Sequence, residues 1–267
     1  MPQPKVMGVL NVTPDSFSDG GTYLASSEAL ARALALVSQG ADILDIGGES
    51  TRPGASPVPL DTELRRVIPL ISAIRVRSGI PISIDTMKPE VAKAAILAGA
   101  GLWNDVTALQ APGAPDMAAA LGCEVILMHM QGEPGTMQQA PAYDDVVGEV
   151  LGFLADRARV ALEAGVKRER IWLDPGIGFG KTLAHNLALL AQLDRLVALG
   201  FPVLLGASRK RFIAELDPAG DTPEDRLGGS LAAVLAGADA GVAGVRVHDV
   251  AETVQALKVW QAIKTGR

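Results

Sequence analysis

Short apolar runs recur along the chain, and each one ends abruptly at polar residues or at glycine. Eight such runs can be traced, and all are rich in Val, Ile or Leu. Continuous apolar runs of this length are typical of parallel strands, because helices cover both faces of a parallel sheet. The runs occupy residues 6–11, 42–50, 81–86, 101–106, 124–132, 171–176, 202–210 and 244–250.

Helical patterns lie between these runs, with apolar residues repeating at steps of three and four. Their starts carry helix signals, such as Ser26 and Ser27 as N-cap candidates and Pro89 in a first turn. Several end at glycine, which accepts the left-handed conformation that often terminates a helix. The patterns predict helices over residues 26–40, 88–100, 143–165, 183–200, 223–241 and 249–264.

Eight strand–helix units in 267 residues match the count of a (β/α)8 TIM barrel, an α/β fold. No linker or low-complexity segment interrupts the pattern, so we expect a single domain over residues 1–267. The alternative, a doubly wound sheet, needs fewer strands and usually a nucleotide fingerprint after the first. The stretch "PGIGFGKT" (175–182) does not supply a phosphate loop, because Pro175 stands where that motif requires its first glycine.

Charge and composition narrow the range of partners. The formal net charge is −6 and aromatic residues make up 4% of the chain, which argues against a nucleic-acid or an anionic-membrane partner. A small anionic molecule remains possible, because two or three local cations can hold it. The single cysteine, Cys123, excludes an internal disulfide and is expected to be buried and inert. With no leader and no apolar run near ~18 residues, we expect a soluble, cytoplasmic protein.

Polar side chains follow nearly every predicted strand. In a TIM barrel the C-terminal ends of the strands form one mouth, where the catalytic residues gather. A strand that meets solvent can also turn polar without any function, but this explains one or two residues better than a whole ring. The polar residues at or just after the strand ends are Asn11, Glu49, Thr51, Arg52, Asp85, Asn104, Asp105, His129, Asp174, Ser208, Lys210, Arg246 and His248.

The residue types at the mouth indicate two kinds of ligand group. Asp85, Asn104 and Asp174 offer carboxylate and amide oxygens that suit a flat heterocycle rich in N–H donors. For any one Asp, an internal ion pair with Arg or Lys is the alternative. Lys210 and Arg246, with His248, gather positive charge after the last two strands, where many barrels bind phosphate. No nucleophilic triad or zinc motif is evident, so positioning and electrostatics are the expected means of catalysis.

The run "NVTPDSFSDGG" (11–21) directly follows the first predicted strand. Pro14 and the Gly20–Gly21 pair exclude a helix across it. Three hydroxyls, two carboxylates and Phe17 crowd into it, so it is either an ordinary solvated loop or a lid that meets a ligand.

Taken together, the strand-end segments resemble the dihydropteroate synthase family of folate biosynthesis, which consists of pterin-binding TIM barrels. The resemblance runs from residue 6 to about residue 250 and covers every strand end, with no departure at a position that the family uses for substrate. The segments are "GVLNVTPDSFSDGG", "DIGGESTRPGA", "ISIDT", "NDV", "LMHMQGEPGTMQ", "DPGIGFGK", "GASRKRFI" and "RVHDV".

The resemblance implies a transferase. It would condense 6-hydroxymethyl-7,8-dihydropterin pyrophosphate with p-aminobenzoate, require magnesium, and release 7,8-dihydropteroate and pyrophosphate. Sulfonamide inhibitors would compete for the p-aminobenzoate site, and the chain is expected to form a homodimer. Two alternatives stay open: a corrinoid methyltransferase-like barrel that binds methyltetrahydrofolate, and a catalytically silent pterin-binding barrel. The first has no need for the cations of "SRK" and "RVHDV", and the second would be expected to lose the first loop.

The resemblance also assigns roles to individual residues. Asp85, Lys210 and Arg246 are the expected catalytic residues, and Asn11 is expected to meet the magnesium ion. Three groups of binding residues follow: Asp85, Asn104, Met128, Asp174, Phe179 and Lys210 for the pterin; Thr51, Arg246, Val247 and His248 for the pyrophosphate; and Asp15, Ser16, Phe17, Asp19, Arg52, Pro53 and Ser208 for the p-aminobenzoate site and its lid.

Overall fold

The computed structural model describes residues 3–12, 22–51 and 54–266, and its strands alternate with helices along the chain. The strands are β1 Lys5–Asn11, β2 Ile43–Gly47, β3 Ile82–Asp85, β4 Leu102–Asp105, β5 Glu124–Met128, β6 Ile171–Asp174, β7 Leu204–Leu205 and β8 Gly244–Val247. The helices are α1 Thr22–Ser38, α2 Leu60–Arg77, α3 Pro89–Leu97, α4 Ala114–Leu121, α5 Val146–Glu163, α6 Leu183–Ala191, α7 Leu193–Val197, α8 Arg211–Leu216, α9 Leu227–Ala240 and α10 Val250–Thr265.

The eight strands form one parallel sheet in the order β6-β5-β4-β3-β2-β1-β8-β7. A parallel bridge between Leu173 and Val203 joins β6 to the segment that leads into β7 and closes the sheet. The backbone N–H of Leu173 also donates to the carbonyl of Pro202 over 2.9 Å. The predicted (β/α)8 barrel is therefore confirmed, with helices around a parallel sheet. Within the described part of the chain, no helix has both the length and the apolar composition needed to cross a membrane.

Several helix boundaries differ from those that the sequence pattern predicts. Helix α1 begins at Thr22, not at the Ser26–Ser27 pair, since residues 22–38 contain neither proline nor glycine to prevent an earlier start. The predicted helix over 183–200 divides at Gln192, whose φ of −125° leaves the helical region and separates α6 from α7.

Helices α2, α4 and α8 lie outside the helices that the pattern predicts. Helix α2 contains Pro69 in its interior, a residue that normally costs an isolated helix ~3 kcal/mol. Val67, Ile71 and Ile74 of the same helix are fully buried in the main core. Burial of this apolar face compensates for the proline, since tertiary packing supplies most helix stability in proteins.

The barrel interior is apolar at its N-terminal end and polar at its C-terminal end. A cluster of six buried side chains forms the apolar floor: Met7, Ile43, Leu102, Ile126, Trp172 and Leu204. Because side chains alternate along a strand, the residue two positions later also faces the interior. Ile43 is thus followed by Asp45, Leu102 by Asn104, and Trp172 by Asp174. The floor excludes water beneath a ring of polar groups.

Strand β7 is much shorter than the predicted run of 202–210. It includes only Leu204–Leu205, and the chain then enters a turn in which Arg209 adopts a φ of +58°. The backbone N–H of Arg209 donates to Oγ of Ser230 over 2.8 Å, and its guanidinium pairs with Asp249 at 2.5 Å. These contacts hold a backbone conformation that is unusual for a residue with a side chain. The turn sets the positions of Ser208 and Lys210.

Candidate active site

An ion-paired arginine lies at the centre of the barrel mouth. Arg246, near the end of β8, donates from Nε to Oδ2 of Asp45 over 2.6 Å and from Nη2 to Oδ2 of Asp85 over 2.8 Å. Asp45 is fully buried and Asp85 nearly so. Neither Oδ1 of Asp45 nor Oδ1 of Asp85 has a hydrogen-bond partner among the residues that the structure describes. The arginine therefore leaves one buried oxygen of each carboxylate unpaired within the described residues.

Asn104 and Asp174 complete the acidic side of the mouth. The amide nitrogen of Asn104 lies 3.4 Å from Oδ2 of Asp45, and Oδ1 of Asp174 accepts the backbone N–H of Gly176 over 2.7 Å. Gly206, just after β7, borders the other oxygen of Asp174. A Cβ atom at this glycine would lie 3.6 Å from Oδ2 of Asp174 and 3.9 Å from Nζ of Lys210. The glycine thus leaves room between a carboxylate and an ammonium group.

Lys210 reaches the mouth from the first position after the β7 turn. Its Nζ donates to the carbonyl of Ile177 and lies 4.7 Å from the centroid of the Phe179 ring. An ammonium group over an aromatic face is attracted by the electrons of the ring. Gly178, with a φ of +82°, lies against the stem of this lysine, where a Cβ atom would be 3.2 Å from Cδ. The glycine loop after β6 therefore forms a wall of the site.

Burial shifts the acid–base behaviour of these groups. It raises the pKa of Asp85 to about 7, although Arg246 works in the opposite direction, and the charge of Asp45 adds to the rise. Burial also raises the pKa of Asp174 and lowers that of Lys210 to about 8. Burial alone would lower the pKa of Arg246, but Asp45 and Asp85 hold it above its usual value. Strongly shifted titrating groups in one cleft are typical of a functional site.

Ser208 and His248 form a pair beside this centre. Oγ of Ser208 accepts the backbone N–H of His248 over 3.2 Å and lies 3.2 Å from Nδ1 of the same residue. Because the hydroxyl carries one hydrogen, it can donate that hydrogen to Nδ1. When the hydroxyl donates in this way, Nε2 of His248 carries the ring hydrogen and can donate to an anionic ligand.

His129 does not join the mouth, although it directly follows β5. Its ring packs edge-on against Phe153, with centroids 5.0 Å apart, and its Nδ1 accepts from Nζ of Lys181 over 2.9 Å. Burial and the charge of Lys181 lower the pKa of His129 to about 3, so the ring stays neutral. Met128, one residue earlier, is buried at the end of β5 on the interior face. The side chains of Met128 and His129 therefore lie on opposite sides of β5.

Two further strand-end carboxylates are structural. Asp105 accepts the backbone N–H groups of Thr107 and Leu109, each over 2.8 Å, and so shapes the loop after β4. Glu49 pairs with Lys88 and accepts the backbone N–H of Val58 over 3.0 Å, which ties the loop after β2 to its own base. Both carboxylates are therefore engaged with backbone N–H groups of the loops that follow their strands.

The remaining site candidates fall into two groups. Asn11 is half-buried at the end of β1, Val247 is buried at the end of β8, and Thr51 is half-buried in the loop after β2. The other group lies outside the described residues: Asp15, Ser16, Phe17, Asp19, Arg52 and Pro53. Cys123 is buried, as predicted, and burial raises the pKa of its thiol to about 11.

Sequence reasoning did not single out Asp45, Lys181 or Gly206. A signal existed for Asp45, because a carboxylate inside the apolar strand "ILDIG" must have a buried partner. Lys181 ends the segment "DPGIGFGK" of the family resemblance, but the resemblance assigned no role to it. Gly206 carries no signal without neighbours, since its importance lies in the groups that a side chain would contact.

Known proteins are similar to this chain in sequence and in fold. A family model for pterin binding enzymes matches residues 7–248. The dihydropteroate synthase of Escherichia coli K12 is 48% identical over 264 residues, which are 99% of this chain and 93% of that protein.

Solved structures agree with the sequence match. Dihydropteroate synthase from Xanthomonas albilineans with 4-aminobenzoic acid has 55% identity and a TM-score of 0.93, with 98% of this chain and 93% of that chain covered. The Yersinia pestis enzyme in complex with a sulfonamide drug has 44% identity and a TM-score of 0.92, with 99% and 95% covered. The match extends over the whole barrel and favours the synthase over the methyltransferase-like alternative. The chain belongs to the pterin binding enzymes and, among them, to the dihydropteroate synthase family.

Proposed function

We propose that the chain joins 6-hydroxymethyl-7,8-dihydropterin pyrophosphate to p-aminobenzoate, with release of 7,8-dihydropteroate and pyrophosphate. The observation that carries this proposal is the meeting of Asp85, Asn104 and Asp174 with Lys210 and Arg246 at one barrel mouth. Acceptors suit the donor-rich pterin, and cations suit the diphosphate. The pterin and the diphosphate of the first substrate are thus each matched by groups of complementary chemistry. We assign the whole chain, residues 1–267, to one catalytic domain.

The pterin is assigned to the acidic side of the mouth. Oδ1 of Asp85 and Oδ2 of Asp174 can accept ring and amino N–H groups, and Asn104 can both donate and accept. Lys210 can donate to a pterin oxygen or nitrogen. Met128 and Phe179 are assigned to the faces of the ring, where apolar and aromatic surfaces exclude water.

The diphosphate is assigned to the basic side. Arg246 keeps N–H groups beyond those that bind the two aspartates, and His248 offers Nε2 and lies beside Ser208. The backbone at Val247 and the hydroxyl of Thr51 complete this set. A guanidinium and an imidazole together match the two phosphoryl groups of the leaving group.

Asn11 is the residue we assign to Mg²⁺. Gly47 separates the two nearest oxygens: a Cβ atom on it would lie 3.5 Å from Oδ1 of Asn11 and 3.8 Å from Oδ2 of Asp85. The described residues contain no cluster of three or more acidic, His or Cys ligands. One protein oxygen fits magnesium, which is usually bound by few protein ligands together with water and substrate phosphates. When bound, the ion would neutralise charge on the departing pyrophosphate.

For the chemical step we propose that pyrophosphate departs early and that the amine attacks afterwards. Departure leaves positive charge on the methylene carbon, which the electron-rich dihydropterin shares. Asp85 and Asp174 stabilise that charge as carboxylates, and Arg246 and His248 stabilise the negative leaving group. The arylamine is neutral at pH 7, so it attacks without prior deprotonation; the C–N bond forms and one N–H proton passes to the released pyrophosphate. Direct displacement is the competing route.

The p-aminobenzoate site is assigned to Ser208 with Arg52 and Pro53, and Phe17 is proposed to cover it. Asp15, Ser16 and Asp19 would order the closed lid, which excludes water from the reactive pterin cation. Sulfonamides share the shape of p-aminobenzoate and are expected to compete for this site.

Two further properties belong to the proposal. We expect a homodimer, because Val259 and Ile263 expose apolar side chains four residues apart on one face of α10. We expect the enzyme in the cytoplasm, where its single thiol, Cys123, stays reduced.

The test is pyrophosphate release by the purified protein with the pterin pyrophosphate and Mg²⁺, with and without p-aminobenzoate. Release that depends on p-aminobenzoate, with an equal amount of dihydropteroate, is the expected result. Tight pterin binding without release would indicate a silent barrel and contradict the proposal. Transfer of a methyl group from methyltetrahydrofolate would support the corrinoid-linked alternative instead.

A further inference from the structure

Asp45 is a buried carboxylate in the middle of β2, and none of the roles assigned above uses it. Its relative exposure is 0%, so its charge must be balanced inside the protein. Oδ2 accepts Nε of Arg246 over 2.6 Å and lies 3.4 Å from the amide nitrogen of Asn104. Asp45 thus contacts one residue from the diphosphate side and one from the pterin side.

Arg246 divides its N–H donors between two carboxylates, and this division indicates a role for Asp45. A guanidinium has five N–H groups, and its Nε–Nη2 edge presents two of them in parallel to a single carboxylate. Here the same edge is shared by two carboxylates: Nε binds Asp45 and Nη2 binds Asp85. Arg246 therefore takes only one oxygen of Asp85. Both N–H groups of Nη1 and one of Nη2 remain beyond these two bonds.

Without Asp45, the whole Nε–Nη2 edge would be available to Asp85. A bidentate pair would then occupy both oxygens of the carboxylate that we assign to the pterin. It would also turn the guanidinium away from its present orientation. Such fork-to-fork pairs are the stronger arrangement for Arg and a carboxylate, so this rearrangement is favourable once the competitor is gone.

We propose that Asp45 is a positioning residue that holds Arg246 by Nε, so that Asp85 keeps one oxygen for the pterin and Arg246 keeps its Nη groups for the diphosphate. The contact between Oδ2 of Asp45 and the amide nitrogen of Asn104 would help to position Asn104 as well. This inference rests on the proposed function, since the roles of Asp85 and Arg246 come from it.

The experiment compares Asp45→Asn and Asp45→Ser in the wild-type and in the Arg246→Ala background. Both variants remove the charge; Asn keeps the size of the side chain, and Ser introduces less strain if Asn is not accommodated. Ser83→Ala is the matched control, because Ser83 pairs in register with Asp45 on β3 and its buried Oγ has no partner in the described residues. Thermal unfolding selects the variants that retain a cooperative transition.

Asp45→Asn is expected to lower kcat at least tenfold while it changes the KM for p-aminobenzoate less than twofold. In the Arg246→Ala background, Asp45→Asn is expected to lower kcat less than threefold, because the guanidinium that Asp45 holds is already absent. Ser83→Ala is expected to keep wild-type kcat. A merely structural role would lower kcat by the same factor in both backgrounds, and that outcome would overturn the positioning role.

The two proposals fail in different ways. If wild-type protein and Ser83→Ala both lack pyrophosphate release that depends on p-aminobenzoate, the proposed function and this inference are overturned together. If wild-type protein turns over but Asp45→Asn lowers kcat less than tenfold, only the positioning role is lost.

Discussion

Nζ of Lys181 donates to Nδ1 of His129 over 2.9 Å, and both side chains are buried. The same ammonium donates to the carbonyl of Phe179 over 3.0 Å and lies 3.4 Å from the carbonyl of His129. Three acceptors thus surround three N–H groups. This contact joins the loop after β5 to the glycine loop after β6, which carries Phe179 at the wall of the candidate pterin pocket.

Lys181→Met is expected to destabilise the protein and loosen that wall. The change leaves buried acceptors without a donor, at a cost of about 1–3 kcal/mol in the free energy of unfolding. The KM for the pterin substrate should rise more than that for p-aminobenzoate. Chemical denaturation and steady-state kinetics measure the two effects, with Lys167→Met as the exposed control. Unchanged stability would show that Lys181 does not hold the two loops together.

The raised pKa of Asp85 predicts opposite pH trends for activity and for stability. In the proposed function its carboxylate form accepts from the pterin, so kcat/KM for the pterin substrate should fall as the pH drops below about 7. Between pH 3.8 and about 7 the folded state binds more protons at this site than the unfolded state. The contribution of Asp85 to stability is therefore largest at low pH and is lost as the pH rises through about 7.

Asp85→Asn provides the measurement for both trends. The difference in unfolding free energy between wild type and variant should shift against the wild type as the pH rises from 5 to 7.5, by at most about 1.4 kcal/mol per pH unit. The acid limb near pH 7 should be missing from the residual activity of the variant. A constant stability difference would place the titration on another group.

Arg246→Ala should slow turnover by roughly 10²–10³, which corresponds to ~2.7–4 kcal/mol for the loss of one preorganised transition-state donor. The side chain is held by Asp45 and Asp85, so in the proposed mechanism it needs no reorientation when the leaving group gains charge. Arg211→Ala is the control, because Arg211 is 86% exposed and pairs with Glu215 on the surface. A loss in kcat below threefold would remove Arg246 from the mechanism.

Gly206→Ala should leave the fold intact and weaken pterin binding. The new methyl group would meet Asp174 and Lys210 at 3.6 and 3.9 Å, which are ordinary contacts, so the unfolding free energy should change little. It would, however, fill the room between those two groups, and a methyl group in a binding pocket is worth about 1–3 kcal/mol. Titration calorimetry with a pterin measures the loss. Gly152→Ala on the exposed face of α5 is the control, and equal affinity for both variants would contradict the assignment of this space to the ligand.

Phe17→Ala is expected to raise the apparent KM for p-aminobenzoate more than that for the pterin substrate. Phe17 lies outside the described residues, so this prediction rests on the first loop acting as a lid. Leu216→Ala tests the general effect of removing an exposed apolar side chain, since Leu216 is 57% exposed. Steady-state kinetics with each substrate varied in turn gives the two constants. If both rise equally, Phe17 does not belong specifically to the p-aminobenzoate site.

The local pattern of apolar and polar residues was enough to predict the barrel fold and many of the residues at the C-terminal ends of its strands. Each apolar run of the parallel sheet is followed directly by polar residues, as in "ISID" at β3 and "IWLD" at β6. Both the buried strand and the point where it ends can therefore be recognised from residues that are neighbours in the sequence. The same holds for helices such as α5, where Asp145 accepts the backbone N–H of Gly148 as an N-cap. Asp85 and Asp174 were therefore identifiable before any contact was known.

Only the tertiary structure decided how those side chains pair. Arg246 binds Asp45, 201 residues away in the sequence, and Lys181 binds His129, 52 residues away. Whether a strand-end carboxylate pairs with Arg246, as Asp85 does, or caps its own loop, as Asp105 does, also depends on closure of the sheet. The sequence determined the order of the strands and the positions of several helices because those preferences are local, whereas α2, with Pro69 in its interior, depends on tertiary burial. The partners of the buried charges were decided by the closed barrel, since electrostatic pairing depends on distance in space.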